Sequence, residues 1–206
     1  MNSILNRMSP TITNMIRMDH THVVSAFHQY HRDTPERVKK GLADNICLAL
    51  EVHAQLEEEI FYPAMREVAP GDEVLDKSKP EHDEMRSLIA RLRSLQPHDA
   101  AFDQTVFDLM RTVLHHVADE ETQILPKAER LLAAQLSEMG ARMTRRRLQL
   151  IGPRSGELAG SMARSMSSGT LLAAAGALAA AGGLLLARKT RGANDETWLD
   201  TARSGH

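Results

Sequence analysis

The chain has 206 residues, enough for one compact domain of about 100–150 residues with appendages. Apolar residues make up 42% and aromatic residues 3%, which permits a packed core but argues against a β-sandwich and favours helices. Cys47 is the single cysteine, which excludes a disulfide framework and any zinc site with two or more thiolates. With ten histidines present, any bound metal is expected to have nitrogen and oxygen ligands.

The net charge of −2 hides an uneven distribution along the chain. Residues 1–140 contain 15 Lys and Arg against 23 Asp and Glu, whereas residues 141–206 contain 10 against 4. An acidic body repels the phosphate backbone, so no nucleic-acid partner is expected. Residues 1–10 contain one arginine and no apolar stretch, so no secretory signal is visible and a cytoplasmic domain is expected.

Apolar residues at spacings of three and four predict four long helices in chain order. The first covers about 13–31 and the second about 35–68. The third runs through Met85, Ile89 and Leu92, with Pro80 marking its start or a kink, and the fourth covers about 99–132. No β-hairpin signal interrupts them. The sequence therefore predicts an all-α, up-down-up-down four-helix bundle, with a short fifth helix over 136–150 that lies against it.

The C-terminal quarter of the chain is predicted to be separate from this 1–150 bundle domain. Residues 151–170 are rich in Gly, Ser and Pro and are interpreted as a flexible linker. Residues 171–187 contain only Leu, Ala and Gly, and 188–206 form a polar tail. Seventeen apolar residues lie at the lower limit for spanning a bilayer. Two interpretations stay open for this helical tail: a membrane helix, or an Ala-rich helix on a protein surface.

A repeated motif identifies the candidate site. The pattern H-x3-E-E-x4-P runs from His53 to Pro63 and again from His116 to Pro126. Residues four apart lie one helical turn apart, so each histidine faces the same way as the first glutamate of its motif. Apolar residues at steps of three and four continue both stripes, which places these side chains toward the core.

The first and third helices each add a histidine, His20 and His82, to their own apolar stripes. Buried carboxylates and imidazoles are costly unless they are paired or metal-bound, and the stripes of the repeated motif contain no lysine or arginine. Ligands of this type projecting into a bundle are typical of di-iron carboxylate centres. The set is too large for one tetrahedral zinc, and four imidazoles disfavour calcium. The predicted metal ligands are His20, His53, Glu57, His82, His116 and Glu120.

The sequences around these residues resemble the haemerythrin-like, HHE cation-binding domain family over about residues 13–150. The resemblance rests on Asp19-His20, His53 to Pro63, Glu81-His82-Asp83 and His116 to Pro126. It implies two non-haem irons with an oxo or hydroxo bridge. It also implies which side chains hold them: His20 and His53 one iron, His82 and His116 the other, with Glu57 and Glu120 bridging.

Two departures from the oxygen-carrying members affect the expected function. Arg86 stands where the carriers have a second histidine on the third helix, and their spacing would make Glu121 the bridge, although the internal repeat favours Glu120. With two histidines per iron and two shared glutamates, each metal is expected to keep open positions. We therefore expect a protein that binds or senses dioxygen or a related small oxidant, rather than an oxygen carrier. The alternatives are a ferroxidase or peroxidase acting at the same site, and a structural bundle tethered to a membrane.

Overall fold

The computed structural model describes residues 10–165, and these are helical apart from short connections. Four long helices form the predicted up-down-up-down bundle. They are α1 (Ile12–His28), α2 (Glu36–Leu56, a π-helical turn Glu57–Phe61, then Tyr62–Val68), α3 (Glu73–Ser94) and α4 (Phe102–Asp119, a π-helical turn Glu120–Ile124, then Leu125–Leu131). Two shorter helices follow: α5 (Leu136–Ile151) and, after a 3-10 turn at Gly152–Arg154, α6 (Ser155–Ser165).

Side chains at the helix starts explain where α1 and α3 begin. The Thr11 hydroxyl accepts a hydrogen bond from the backbone N–H of Asn14, 3.3 Å away. The Asp72 carboxylate accepts from two backbone N–H groups of the first turn of α3, which satisfies donors that have no partner within the helix. Pro80 lies inside α3, so of its two predicted roles the helix start is wrong: the helix begins earlier, at the cap formed by Asp72.

The apolar core consists of two clusters with a polar layer between them. The first cluster includes Ile16 and Leu75, and the second includes Val23 and Met85. On α1, α3 and α4 the chain passes from one cluster to the other at a histidine. The predicted site residues therefore lie across the middle of the bundle rather than at one end.

The helix α5 lies against α1 and α2, as predicted, and its Met139 and Met143 are buried in the first cluster. The linker prediction for 151–170 is wrong where the structure describes it, because α6 is an ordered helix packed along α2. A side chain at Gly41 of α2 would meet the backbone nitrogen of Ser165 at 2.4 Å, so this glycine allows the close approach. The Ser161 hydroxyl also donates to Asn45 Oδ1 at 2.7 Å.

The rest of the predicted linker, the apolar segment 171–187 and the polar tail 188–206 lie outside the described residues. Among the helices of residues 10–165, none combines the length and the apolar character needed to cross a bilayer.

Candidate metal centre

The six predicted ligands meet in the polar layer of the bundle. Each of the four long helices contributes one histidine, and α2 and α4 each add a glutamate from the first position of a π-helical turn. Glu57 and Glu120 are fully buried, and none of the four imidazoles is more than 5% exposed. The converging side chains are His20, His53, Glu57, His82, His116 and Glu120.

One half of the layer is formed by α1 and α2 with a carboxylate from α4. His20 Nε2 lies 3.2 Å from Glu120 Oε2. His53 Nε2 lies 3.2 Å from Glu57 Oε2. One ligand atom from each of these four side chains falls within 4.8 Å of the others, so the group could hold one metal ion.

The other half is formed by α3 and α4. His82 Nε2 lies 3.4 Å from Glu57 Oε2 and 3.2 Å from His116 Nε2. His116 Nε2 is also 3.7 Å from Glu120 Oε2. Glu57 belongs to both groups of potential ligands, which is the placement that a carboxylate shared by two ions requires.

These separations suit a bound cation. Neighbouring ligands of an ion with bonds of about 2.1 Å lie about 3 Å apart, close to the nitrogen–oxygen distances in both halves. Buried polar atoms normally have hydrogen-bond partners. Within residues 10–165, His20 Nε2, His53 Nε2, Glu57 Oε1 and Glu120 Oε2 are buried without one. The residues present therefore fit a metal centre.

Each imidazole turns its second ring nitrogen, Nδ1, toward an outer carboxylate. The distances are 2.9 Å from His20 to Glu121, 3.0 Å from His82 to Glu58, 2.8 Å from His116 to Glu81 and 3.5 Å from His53 to Asp19. A carboxylate that accepts from Nδ1–H fixes the tautomer and leaves the Nε2 lone pair directed inward. The outer shell thus prepares His20, His82 and His116 to be ligands, whereas His53 Nδ1 faces Asp19 without a hydrogen bond.

Arginines hold several of these outer carboxylates in turn. Arg86, at the position where the carriers have a histidine, pairs with Glu58 and lies 2.6 Å from Asp83. Arg17 Nε donates to Glu121 at 3.1 Å. Glu58 and Glu121 therefore support histidines from outside the inner layer.

Tyr62 is a member of the site that sequence reasoning missed. Its hydroxyl donates to Glu120 Oε1 at 2.9 Å, and lies 3.2 Å from Glu57 Oε2 and 3.4 Å from His82 Nε2. On a regular α-helix, a residue five positions after Glu57 points away from it. The π-helical turn adds a residue to this turn, so Tyr62 returns to the side of Glu57.

The prolines that end the two motifs follow these π-helical turns after one intervening residue. The backbone N–H of Tyr62 bonds to the carbonyl of Glu57, and that of Leu125 to the carbonyl of Glu120. Pro63 has no N–H to give to the carbonyl four residues before it, so the regular α-helical pattern cannot continue unbroken there. The local distortion next to each ligand pair thus takes the form of a π-helical turn.

Without a cation, the two inner carboxylates are electrostatically unequal. Burial and the neighbouring Glu120 raise the pKa of Glu57 well above its usual range. Burial also opposes ionisation of Glu120, but His20 and His116 outweigh it and lower the pKa of Glu120. A cation between the carboxylates would remove the repulsion that makes one of them take up a proton.

The histidines of the α1–α2 half also have shifted pKa values. Burial favours the neutral imidazole of His20, but the carboxylates of Glu120 and Glu57 outweigh it and raise its pKa to about 9. At His53 burial prevails and lowers the pKa to about 4. His53 is therefore neutral at pH 7, the form in which an imidazole binds a metal.

A small apolar cavity borders this centre. Its walls include Val23, Leu50, Val113 and Val117, and it touches His20, His53 and His116. It has room for about one molecule of the size of water. A molecule of about that size could therefore lie next to the ligands. By contrast, the side chain of His115, next in sequence to His116, is 73% exposed and lies outside the centre.

Comparisons with known proteins agree with this geometry. A crystal structure of a Hemerythrin HHE cation binding domain-containing protein from Mycobacterium kansasii aligns with a TM-score of 0.61 over 76% of this chain and 99% of that one. The two sequences are 17% identical, so this likeness shows the fold. A protein from a Nostoc species named DNA nickase is 26% identical over 137 residues. That match covers 66% of this chain, which spans only 38% of the relative's length.

The profile of one protein family matches the helices that carry the centre. It is the Hemerythrin HHE cation binding domain, and it matches residues 11–128, more than half of the chain. The matched part includes all six predicted ligands, the four outer carboxylates and both motifs. The chain belongs to the haemerythrin HHE cation-binding domain family.

Proposed function

We propose that this protein is a non-haem di-iron protein that binds or senses dioxygen or a related small oxidant. The observation that carries the proposal is the set of four buried imidazoles whose Nε2 atoms face two buried glutamates. Nitrogen and carboxylate ligands in this number suit a pair of iron ions in a helical bundle. In this proposal His20 and His53 hold one iron, His82 and His116 hold the other, and Glu57 and Glu120 are shared.

The chain's own residues would then control what reaches the irons. A reduced iron pair supplies the electrons that dioxygen or a peroxide accepts. The small cavity beside His20, His53 and His116 has room for about one water-sized molecule next to the candidate ligands. The Tyr62 hydroxyl lies between Glu57 and Glu120, where it provides a proton donor at the centre of the layer.

The same hydroxyl favours the second candidate function, a ferroxidase or peroxidase. Reduction of an oxidant consumes protons as well as electrons, and Tyr62 is placed 2.9 Å from Glu120 to deliver one. A binding or sensing protein would form a stable adduct between its metal centre and the oxidant, and would not convert the oxidant to product. An enzyme would instead oxidise ferrous iron, or consume peroxide, through many cycles, and steady-state assays separate the two.

The first test is the iron content and visible absorption spectrum of the full chain, purified in air and again after anaerobic reduction. We expect about two irons per chain, with charge-transfer bands that bleach on reduction and return when oxygen is admitted. A chain that contains no iron, or a single zinc, would contradict the di-iron proposal.

A nicking assay on supercoiled plasmid tests whether the activity named for the Nostoc relative extends to this shorter chain. We expect no cleavage by the iron-loaded protein, because residues 1–140 have a net charge of −8 and would repel DNA. Metal-dependent nicking that disappears in His53→Ala would replace our proposal with a nuclease function.

A further inference from the structure

A helix outside the matched family region reaches into the outer shell of the centre. The family match ends at residue 128, and α5 begins at Leu136. Arg147 of α5 binds both oxygens of Asp19 on α1: Nη1 lies 2.7 Å from Oδ1, and Nη2 lies 2.5 Å from Oδ2. A two-pronged contact of this kind fixes the plane of the carboxylate as well as its position.

Asp19 is the outer carboxylate that most needs such support. Its Oδ2 lies 3.5 Å from His53 Nδ1, whereas Glu81, which also directly precedes a histidine, lies 2.8 Å from His116 Nδ1. Aspartate is one methylene shorter than glutamate, which accounts for the longer contact. His53 Nδ1 makes no hydrogen bond, and Asp19 is the carboxylate that faces it. The electrostatic contact between them therefore depends on whatever keeps Asp19 turned toward His53.

We propose that Arg147 is a positioning residue of the metal centre: by fixing Asp19 it orients His53, and so sets the metal affinity of the His20–His53 half. The inference rests on the proposed metal centre and deepens it. It makes α5 a part of the functional site, although the helix otherwise only packs against α1 and α2.

The space around Arg147 suggests that its side chain can be shortened without unfolding the bundle. Arg147 and Asp19 border a cavity of about 290 Å³ between α1, α2, α5 and α6. If the guanidinium is removed, water can enter this space and hydrate Asp19, which then has room to turn away from His53. The loss of Arg147 is therefore expected to disorder the His53 acceptor while leaving the bundle folded.

The test is a titration of the metal-free full chain with Co²⁺, followed by its visible absorption. We expect the wild type to bind about two equivalents. In Arg147→Gln one equivalent should bind about tenfold to a hundredfold more weakly, the usual cost of losing an outer-shell partner, and the other should be unchanged. Arg147→Lys keeps the positive charge but cannot contact both oxygens of Asp19 in the same way. It should therefore bind Co²⁺ with an affinity between those of the wild type and Arg147→Gln.

The neighbouring arginine provides the matched control. Arg146 lies on the same helix and its Nε is 2.6 Å from Glu59, which contacts none of the ligands. Arg146→Gln removes a more exposed ion pair of the same helix and should leave both Co²⁺ affinities as in the wild type. Asp19→Asn should reproduce the effect of Arg147→Gln, and the double variant should be no weaker than Asp19→Asn alone.

The possible outcomes separate the inference from the proposal on which it rests. If the wild type binds no Co²⁺, the metal centre itself is contradicted. Two equivalents with unchanged affinity in Arg147→Gln would overturn the role of Arg147. If Arg147→Gln loses both equivalents and its metal-free form melts at a lower temperature, Arg147 has only a structural role. That outcome would also overturn the proposed positioning role.

Discussion

The two copies of the repeated motif, on α2 and α4, build their halves of the centre in the same way. In each copy a π-helical turn begins at the inner glutamate, Glu57 or Glu120. In each copy the next residue, Glu58 or Glu121, accepts from Nδ1 of a histidine on a neighbouring helix. The site is therefore close to twofold symmetric in its ligands and in their supports.

The copies differ at the residues beside the proline, and there the site becomes asymmetric. The position before the proline is Tyr62 on α2 and Leu125 on α4. Leu125 is buried in the first apolar cluster, whereas the Tyr62 hydroxyl contacts both inner glutamates. The position after the proline is Ala64 on α2 and Lys127 on α4. A repeated motif thus fixes the six candidate ligands, and one unmatched side chain gives the two halves of the site different surroundings.

The largest effects are expected when a histidine ligand is removed from one copy of the motif or from the other. His53→Ala and His116→Ala should each lower the iron content from about two per chain to one or fewer, because each takes away a buried nitrogen ligand. His115→Ala, next in sequence to a ligand but exposed, should keep the wild-type content. Iron analysis of the purified proteins measures this, and equal loss in all three variants would contradict the assignment of helix faces.

The outer glutamates allow a second comparison between the copies. Glu58→Gln and Glu121→Gln should each weaken metal binding about tenfold or more, because the imidazoles of His82 and His20 lose a charged acceptor. Competition with a chelator measures the affinities. Glu59→Gln is the control, since Glu59 pairs with Arg146 and not with a ligand. A clear effect in one copy alone would show that the copies are not equivalent.

Tyr62→Phe tests the side chain that breaks the symmetry. The metal-free variant should lose about 1–2 kcal/mol of unfolding free energy, because buried carboxylates lose a hydrogen-bond donor. The charge-transfer bands of the iron-loaded protein should also shift. Tyr30→Phe removes a hydroxyl that donates to Asp103 at 2.5 Å, away from the centre, and should leave the spectrum unchanged. Urea titration and absorption spectra measure both effects.

The smallest expected effect concerns Lys127, which pairs with Asp72 at the start of α3. The hydrogen bond from Lys127 lowers the pKa of Asp72 below its usual 3.8, although partial burial opposes the shift. The ionised carboxylate is favoured in the folded state, so its contribution is full above pH 3.8 and is lost as the pH falls through the lower folded pKa. Asp72→Asn should cost at most about 1 kcal/mol at pH 7, and less near pH 3. Thermal melts across this range measure the difference.

Much of this architecture could be predicted from residue spacing. The apolar stripes predicted the four long helices and α5, and the position of six polar residues within those stripes predicted the buried layer. Tyr62 could not be found in this way, because helical spacing assumes 3.6 residues per turn and the π-helical turn breaks that rule. Position alone also gave no reason to connect Asp19 with Arg147, since 128 residues separate them.

The error over α6 has a different physical cause. Gly, Ser and Pro are typical of linkers because they favour turns and lose little by remaining unfolded. In α6 the small residues instead permit close packing, since Ser161 bonds to Asn45 and the end of the helix lies against Gly41. The decisive contacts are with α2, more than a hundred residues earlier, which no local composition reveals.

The polar layer that divides the apolar core makes the protein's resistance to proteolysis depend on metal. Without a cation, four imidazoles and two glutamates remain buried between the two clusters, at a cost that the apolar contacts on either side must offset. Metal binding stabilises the folded chain by mass action, so its unfolded fraction rises as the supply of metal falls. Since proteases act on that fraction, the abundance of the protein would follow the metal status of the cell.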